Sequence, residues 1–283
     1  MNRPITAKTR VAGVVGHPVR HSLSPVIHNA WIQASGLDAV YLAFEPPPER
    51  FEAFVEGLRG RAVLGLNVTT PYKERALAVA DDPDPDAALL KAANLLVFLE
   101  AGAIQARSTD GAGLLSALRA AEVDLESGPV VVLGAGGAAR SVVLALRSAG
   151  AGEIRVVNRT PGRAQSLIDL DPARTFTLGW AEAGKALEGA TAIINATSLG
   201  MDGQPPLDLA LDAAPPGAVI ADIVYHPLTT PLLSRARGRG HRTVDGLAML
   251  IGQAAPSFEA LFGRPAPDVD VRALCEAALA GRP

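Results

Sequence analysis

A glycine-rich segment carries the most specific chemistry in this sequence. The apolar run Val130–Leu133 is followed directly by Gly134, Ala135, Gly136, Gly137 and Ala138. With Ala139 these residues satisfy the pattern G-x-G-x-x-G/A, in which the first glycine permits a tight turn, the second lets the backbone approach a pyrophosphate, and the small third residue packs a helix against the strand. The positive end of that helix then faces the phosphates. A simple tight turn also fits the glycines, but their place between a strand and a helix favours a dinucleotide site.

Side chains after the next strand indicate which dinucleotide. In an NAD site, an acidic residue about 20 positions beyond the glycines binds the ribose hydroxyl. Here that place is occupied by Asn158, Arg159 and Thr160, with Arg163 one turn further on. None of these residues repels a 2′-phosphate, and the planar guanidinium of Arg159 can bind one. The segment predicts NADP, and the alternative is that both arginines are solvated surface charges.

Two serines in the first part of the chain predict an anion pocket. Ser22 and Ser24 lie on a loop after a strand, and Pro25 begins the next helix. We expect Ser24 to cap this helix, since serine is favoured before a proline in the first turn. A second hydroxyl and free helix amides would together suit a substrate carboxylate. His21 and His28 stand nearby without cysteine or carboxylate partners at ligand spacing, so no metal site is predicted.

A lysine and an aspartate supply the candidate acid and base. Lys73 follows the segment Asn67–Tyr72 at the end of a predicted strand, where α/β proteins place ligands, although lysine is by default a solvated charge. Asp110 lies at another strand-to-helix junction, where capping of the helix is a simpler role. If the two were held together, the carboxylate would orient the ammonium, and the lysine would exchange a proton with a carbinol oxygen as hydride moves.

The elements that position these residues alternate between strands and helices. Short β-rich runs recur between helical patterns, and several are apolar on both faces. Such alternation predicts βαβ units and parallel sheets covered by helices, with two sheets expected rather than one. The strands are predicted at Val11–Val15, Val40–Phe44, Leu64–Val68, Val130–Leu133, Ile154–Val157, Ala192–Asn195 and Val219–Ile223.

The polar stretch between Leu125 and Pro129 is the best domain boundary that the residues themselves offer. It separates a helix at about Gly111–Ala121 from a new strand. A second crossing is expected near Gly246, and the spacing leaves open which lobe the later helices join. Those helices are predicted at Leu247–Phe262 and Val269–Leu279.

Composition narrows the class of partner. The 283 residues include 26 basic and 29 acidic side chains and are 48% hydrophobic. This balance predicts no binding of nucleic acid or anionic membrane and favours a small-molecule partner. Cys275 is the single cysteine and is expected to be a buried thiol in a reducing compartment. Because Met1–Arg10 lacks the apolar run of a signal peptide, and no apolar stretch reaches the roughly 20 residues of a membrane span, we expect a cytoplasmic protein.

Ordered segments along essentially the whole chain resemble the shikimate dehydrogenase family. The resemblance implies reversible, NADPH-dependent reduction of 3-dehydroshikimate to shikimate, a step of chorismate and aromatic amino-acid biosynthesis. A monomer or a homodimer is expected. The matching segments are Gly16–Asn29, Asn67–Lys73, Ala93–Asn94, Thr109–Gly113, Gly134–Arg140, Asn158–Thr160, Asn195–Met201, Asp222–Tyr225 and Asp245–Gln253.

The resemblance also implies a role for each matching position. Lys73 falls on the family's catalytic lysine and Asp110 on its partner aspartate, and both adjoin the substrate. Positions that match the family's contacts with the substrate carboxylate are Ser22, Ser24 and Tyr225. Positions that match its contacts with the ring hydroxyls are Thr69, Asn94 and Gln253. Positions that match its cofactor contacts are Gly134–Ala138, Asn158–Arg163, Ile223 and Gly246.

The implied architecture is an α/β fold of two domains. Residues 1–110 form a substrate domain with a mostly parallel sheet, and residues 111–246 form a Rossmann-type NADP-binding domain. The helices of residues 247–283 return to the substrate domain, which is therefore discontinuous. The implied active site is the cleft between the domains.

Two positions depart from the family pattern and keep alternatives open. The family usually has threonine where this chain has Leu95, and asparagine where it has Ser108. Both adjoin implied substrate contacts, so a paralogue that accepts quinate or prefers NAD remains an alternative, against which Arg159 counts. A non-catalytic dinucleotide sensor on the same scaffold is the rival from another class, and the presence of Lys73 and Asp110 counts against it.

Overall fold

A computed structural model describes residues 4–60 and 63–281 of the chain. The chain divides into two compact units. The first unit runs to Thr109 and resumes at Gln253, and the second extends from Asp110 to Gly252. The chain therefore returns to the first unit after Gly252. The sequence predicts this crossing near Gly246. One continuous helix contains both positions, so no break in the helix marks the junction.

The first unit is built on a mixed sheet. Its strands are β1 (Arg10–Val15), β2 (Ala39–Phe44), β3 (Val63–Val68), β4 (Asp82–Pro83), β5 (Leu95–Phe98) and β6 (Ile104–Arg107). In the part of this unit that the structure describes, they lie in the order β2-β1-β3-β5-β6-β4. Strands β2, β1 and β3 are parallel, whereas β5 is antiparallel to both β3 and β6. The sheet is mostly parallel, as expected, and its antiparallel hairpin is the exception.

Apolar side chains on the sheet face the helices of the first unit. Leu66, Val68, Leu96 and Ile104 are fully or almost fully buried in one cluster with Phe51. Burial of each such side chain stabilises the fold by roughly 1.5–3 kcal/mol. The helices between these strands are α1 (Ser24–Ala34), α2 (Phe51–Glu56), α3 (Lys73–Ala78) and α4 (Pro85–Leu90).

The second unit contains a doubly wound parallel sheet. Its strands are β7 (Pro129–Leu133), β8 (Glu153–Asn158), β9 (Thr175–Gly179), β10 (Ala192–Asn195), β11 (Val219–Asp222) and β12 (Arg242–Val244). Among the described residues the order is β12-β11-β10-β7-β8-β9, and every pairing is parallel. The strand order reverses between β7 and β10, and in such sheets ligands bind at the carboxyl ends of the strands beside that reversal. This is the predicted Rossmann-type arrangement.

The remaining helices show that the boundary predicted between Leu125 and Pro129 is wrong. Helix α5 (Asp110–Ala120) belongs to the second unit because it packs on α6 (Gly137–Ser148), where a Cβ added at Gly111 would lie 3.1 Å from that of Ala145. The last helix packs against α1, and Cys275 is buried there as expected. The helices are α5 (Asp110–Ala120), α6 (Gly137–Ser148), α7 (Gln165–Ile168), α8 (Ala183–Leu187), α9 (Pro231–Gly238), α10 (Gly246–Phe262) and α11 (Val271–Ala280).

All seven predicted strands are present among the described residues, with ends that differ by one residue at most. The sequence did not predict β4, β5, β6, β9 or β12. The helices predicted with ranges correspond to α5, α10 and α11, and the helices predicted after the serine loop and after the glycine loop correspond to α1 and α6.

Candidate active site

The glycine loop joins β7 to α6 at the carboxyl end of the strand. Gly134 has a φ of +106°, in the left-handed region that favours glycine. A Cβ at this position would also lie 2.7 Å from Cγ2 of Thr197. Both observations explain why the turn begins with glycine, as predicted.

Space beside the next two glycines fits a phosphate group. A Cβ added at Gly136 or Gly137 would meet no described atom within 4 Å. Helix α6 begins at Gly137, and its first turn, which the structure describes in full, carries no acidic side chain. Ala135 and Ala138 add only small side chains. Free amides and the positive end of the helix dipole therefore make this loop suitable for a pyrophosphate.

Polar and basic side chains follow β8, the strand adjacent to β7. Asn158 is the last residue of β8, and its side-chain amide donates to the carbonyl of Thr160 at 2.7 Å. Arg159 and Arg163 are both exposed. The turn thus presents two cations at the position where a ribose 2′-phosphate is bound in dinucleotide sheets, which fits NADP.

A buried carboxylate organises the end of β11. Asp222 is only 2% exposed and accepts hydrogen bonds from Thr230 Oγ1 at 2.7 Å, Asn195 Nδ2 at 2.9 Å and the Val224 amide at 3.0 Å. Burial raises the pKa of Asp222 to about 6, against the opposing effect of these three donors. We call this group of four residues the carboxylate clasp. It fixes both ends of the segment from Asp222 to Thr230.

The predicted nicotinamide positions lie within and beside that segment. Ile223 directly follows Asp222, and Tyr225 stands half-buried two residues later. A Cβ added at Gly246 would lie 2.4 Å from the Ile223 oxygen and 2.6 Å from that of Val224. Only glycine therefore allows the start of α10 to approach this backbone so closely.

The two predicted anion-binding serines lie at the start of α1. Ser24 is its first residue and the helix cap is Leu23, so the prediction that Ser24 caps α1 is wrong. The Ser24 amide instead donates to Ser22 Oγ at 3.3 Å. The turn brings both serines to the amino end of a helix of 11 residues, as an anion pocket requires.

A network of uncharged polar side chains lies inside the first unit. Asn94 Oδ1 accepts from the Thr109 amide at 2.7 Å, and Asn94 Nδ2 donates to Thr109 Oγ1 at 2.9 Å. Thr109 Oγ1 in turn donates to Gln253 Oε1 at 3.1 Å. We call this network the amide–hydroxyl cluster, and its members, all buried, are Tyr41, Asn67, Asn94, Thr109, Gln253 and Ser257. It brings together the two predicted ring contacts Asn94 and Gln253.

Lys73 and Thr69 lie close to this cluster along the backbone. Lys73 is the half-buried first residue of α3, and its carbonyl accepts from the amide of Ala93, the neighbour of Asn94. Thr69 follows β3, and its amide donates to the Val15 carbonyl at 2.9 Å. The structure thus places Lys73 beside Asn94 within one unit.

Asp110 is the first residue of α5 and belongs to the second unit. It directly follows Thr109, whose amide and hydroxyl are both bonded to Asn94.

The sequence did not predict the other members of the cluster as site residues. Asn67 and Thr109 each stand beside a predicted contact at the end of a strand, and that position is the signal that identifies them. Tyr41 is one residue in the alternating pattern of β2, and Ser257 lies within a helix. No neighbouring motif therefore marks either of them as a site residue.

His28, one of the two histidines near the serine loop in the sequence, lies in the core of the first unit. His28 is fully buried and its ring stacks on that of Tyr41, with 4.2 Å between centroids. Across residues 4–60 and 63–281, no group of three or more His, Cys, Asp or Glu side chains is placed to hold a metal ion. His28 is therefore part of an aromatic core.

Comparison with known proteins identifies the family of this chain. Residues 14–96 match the family model for the shikimate dehydrogenase substrate binding domain, and residues 116–200 match that for shikimate / quinate 5-dehydrogenase. The chain is also 54% identical over 279 residues to a shikimate dehydrogenase (NADP(+)) of Caulobacter vibrioides, with 97% of both chains covered. This chain belongs to the shikimate dehydrogenase family.

Solved structures of family members share the whole fold. The shikimate 5-dehydrogenase of Thermus thermophilus, in complex with NADP(H) and shikimate, superposes with a TM-score of 0.84 at 36% identity, covering 95% of this chain and 98% of that one. A quinate dehydrogenase of Corynebacterium glutamicum, in complex with NAD, gives 0.85 at 26% identity, covering 96% and 99%. One of these structures thus holds NADP(H) with shikimate, and the other holds NAD.

The structure locates the two positions that depart from the family pattern, and nothing in it explains either substitution. Leu95 is fully buried in β5 and pairs with Asn67 of β3. The backbone amide of Ser108 donates to Asp84 Oδ2 at 3.2 Å.

None of the helices in the described part of the chain is long and apolar enough to cross a membrane.

Proposed function

We propose that this chain catalyses the reversible, NADP-dependent interconversion of shikimate and 3-dehydroshikimate. The observation that carries the proposal is the 54% sequence identity, over 97% of this chain, to an NADP-dependent shikimate dehydrogenase. The reaction removes a hydride and a proton from a ring carbinol and yields a ketone, NADPH and a proton. It serves chorismate and aromatic amino-acid biosynthesis.

Residues of the second unit bind the cofactor in this proposal. NADP accepts or supplies the hydride when it is bound. Gly134–Ala138 and the start of α6 bind the pyrophosphate, because their amides and open backbone suit an anion. Asn158, Arg159, Thr160 and Arg163 bind the 2′-phosphate. Ile223 and Gly246 line the nicotinamide.

Residues of the first unit hold most of the substrate. Ser22 and Ser24, at the amino end of α1, bind the carboxylate together with Tyr225 of the second unit. Thr69, Asn94 and Gln253 bind the ring hydroxyls through their polar side chains. A site built from such groups rejects analogues that lack the hydroxyls, because the protein groups would then be left unpaired. On this basis the first unit, which runs to Thr109 and resumes at Gln253, is the substrate domain, and the second unit, Asp110–Gly252, is the NADP domain.

Lys73 and Asp110 perform the proton transfer. As hydride leaves the ring carbon, Lys73 takes the proton of the carbinol oxygen, and in the reverse direction it returns a proton to the ketone oxygen. Asp110 orients the ammonium group of the lysine. Lysine suits this role because it can hold and release a proton beside an oxygen that carries developing negative charge.

A kinetic assay tests the assignment. Purified protein with shikimate and NADP is expected to produce the absorbance of reduced nicotinamide. Lys73→Ala should lower kcat by at least about a hundredfold, with only a modest change in shikimate binding. The exposed Lys185→Ala is the control and should match the wild type. Near-normal kcat in Lys73→Ala would rule out the acid-base role.

A quinate or NAD preference is the second candidate. The family model that names quinate, the quinate dehydrogenase structure and Leu95 are the observations in its favour. Specificity constants for shikimate and quinate, each with NADP and NAD, decide between the candidates. We expect shikimate with NADP to give the highest value of the four, because Arg159 and Arg163 favour a 2′-phosphate.

We also propose that the enzyme works in the cytoplasm as a monomer or a homodimer. Sedimentation equilibrium of the purified protein tests the oligomeric state. Fractionation of the source cells tests the location.

A further inference from the structure

A tyrosine hydroxyl stands at one end of the amide–hydroxyl cluster. Tyr41 of β2 is 1% exposed, and its hydroxyl donates to Asn67 Oδ1 at 2.8 Å. This bond fixes which way the Asn67 amide points, because its oxygen then faces Tyr41. The Asn67 nitrogen is left to donate to Ser257 Oγ at 2.9 Å.

Ser257 passes this orientation on to the predicted ring contacts. Its hydroxyl donates to the Gln253 carbonyl one turn earlier in α10, at 3.0 Å. It also lies 3.2 Å from Thr109 Oγ1, which is bonded to Asn94 and Gln253. Each hydroxyl has one proton, so Ser257 or Thr109 donates across this contact in exchange for its bond to Gln253, and the connected set of hydrogen-bonding groups extends from Tyr41 to Asn94 and Gln253.

Aromatic rings surround the Tyr41 end of this connected set. The ring of Tyr41 lies parallel to that of His28, with an interplanar angle of 3°, and His28 in turn lies 6.0 Å from Phe258 between centroids. Among the described residues neither ring nitrogen of His28 has a hydrogen-bond partner. These rings hold Tyr41 by packing, and its hydroxyl is directed to Asn67.

We propose that Tyr41 and Ser257 are positioning residues for shikimate recognition. They touch neither substrate nor cofactor, and they act by holding Asn67, and through it Asn94 and Gln253, in one hydrogen-bonded arrangement. The inference rests on the proposed function and extends it to two residues that lie behind the contacts. Without the Tyr41 hydroxyl, the Asn67 oxygen loses its donor, the amide can reverse, and Ser257 loses its donor in turn.

Steady-state kinetics of Tyr41→Phe, Ser257→Ala and the double variant test the inference. Each single variant is expected to raise KM for shikimate about tenfold, the effect of one lost buried hydrogen bond, with kcat and KM for NADP within about twofold of wild type. The double variant should be little worse than either single one, since both break the same connected set.

A packing variant separates positioning from general loss of stability. Val55→Ala removes a fully buried side chain of the first unit that makes no part of the cluster. It should lower the melting temperature at least as much as Tyr41→Phe while leaving KM for shikimate unchanged. If Tyr41→Phe does not fold, the Ser257→Ala KM decides alone.

The outcomes separate this inference from the function on which it rests. Absence of shikimate turnover in the wild type would overturn the proposed function, and the inference with it. Turnover with an unchanged KM in the variants, or an equal rise of KM in Val55→Ala, would overturn the inference alone. Fully multiplicative effects in the double variant would also contradict a single connected set.

Discussion

The two units bury polar groups in opposite ways. The amide–hydroxyl cluster of the first unit consists of uncharged side chains, whereas the carboxylate clasp of the second unit is centred on Asp222, whose three donors are also uncharged. Neutral networks need only matching donors and acceptors, but a buried carboxylate also carries a desolvation penalty that depends on pH. The comparison shows that similar backbone positions, at strand ends, can be stabilised with or without a titrating group.

The titrating groups of the two units respond to pH with opposite signs. Next to the neutral cluster, burial lowers the pKa of His28 from 6.5 to about 3. In the clasp, burial raises the pKa of Asp222 from 3.8 to about 6. Acid therefore opposes the folding of the first region and favours that of the second.

The largest expected effect concerns His28. Below pH 6.5 the His28 imidazole binds a proton in the unfolded chain, whereas in the folded chain it stays neutral down to about pH 3. The contribution of His28 to stability is thus complete above pH 6.5 and is lost as the pH falls, by about 4–5 kcal/mol at pH 3. His28→Phe should remove this slope, as measured by urea unfolding at several pH values.

An exposed histidine provides the control for that experiment. His17 is 44% exposed, so His17→Gln should retain the acid sensitivity of the wild type. If His28→Phe and the wild type lost stability in parallel below pH 6.5, His28 would not be the buried group responsible.

The next largest effect belongs to Asp222. Up to about pH 6 the folded chain keeps a proton that the unfolded chain releases near pH 3.8. This contribution is complete below pH 3.8 and is lost as the pH rises through 6, by about 3 kcal/mol. Asp222→Asn keeps the shape of the side chain without the titration, so its unfolding free energy should lack this fall.

The matched control lies on the surface of the same unit. Asp212 is 72% exposed and paired with Arg239, and Asp212→Asn should leave the profile between pH 3.8 and 6 unchanged. A persistent fall in Asp222→Asn would place the titrating group elsewhere and remove the contrast between the two regions.

The smallest effect tests charge at the surface of the second unit. Arg159 is exposed beside β8, where solvent screens its charge, so its substitution should change cofactor choice and leave stability unaltered. Arg159→Ser should lower kcat/KM for NADP about tenfold and change that for NAD by less than about twofold. Arg147→Ser in α6 is the control, and an equal loss with both cofactors would contradict the assignment.

The sequence predicted those parts of the molecule that have a local pattern. The glycine loop, the strands flanking it and helix α10 follow from motif and periodicity, because each is specified by adjacent residues. Strands β5 and β6 were not predicted, since they form an antiparallel hairpin whose pairing depends on the turn between them rather than on a βαβ pattern. The role of Ser24 as a cap was wrong because the chain turns into helix one residue earlier than the proline suggests.

The buried polar networks show where sequence reasoning stops. Asn67 and Ser257 are bonded although 190 positions separate them in the chain. In the sequence, each is a single polar residue inside an apolar run, which indicates only an interruption of that run. Asp222 and Thr230 are nearer, eight positions apart, but the bond between them depends on a loop whose path no local pattern specifies.

The discontinuity of the first unit has a consequence for synthesis on the ribosome. Domains tend to fold as their chains emerge, beginning with the amino-terminal part. Here residues 110–252 are complete before Gln253 and Ser257 have been made, although Tyr41 and Asn67 emerged long before. The hydrogen bond between Asn67 and Ser257 therefore cannot form until the whole second unit has been synthesised. The unit that is translated first is therefore the unit whose sequence is completed last.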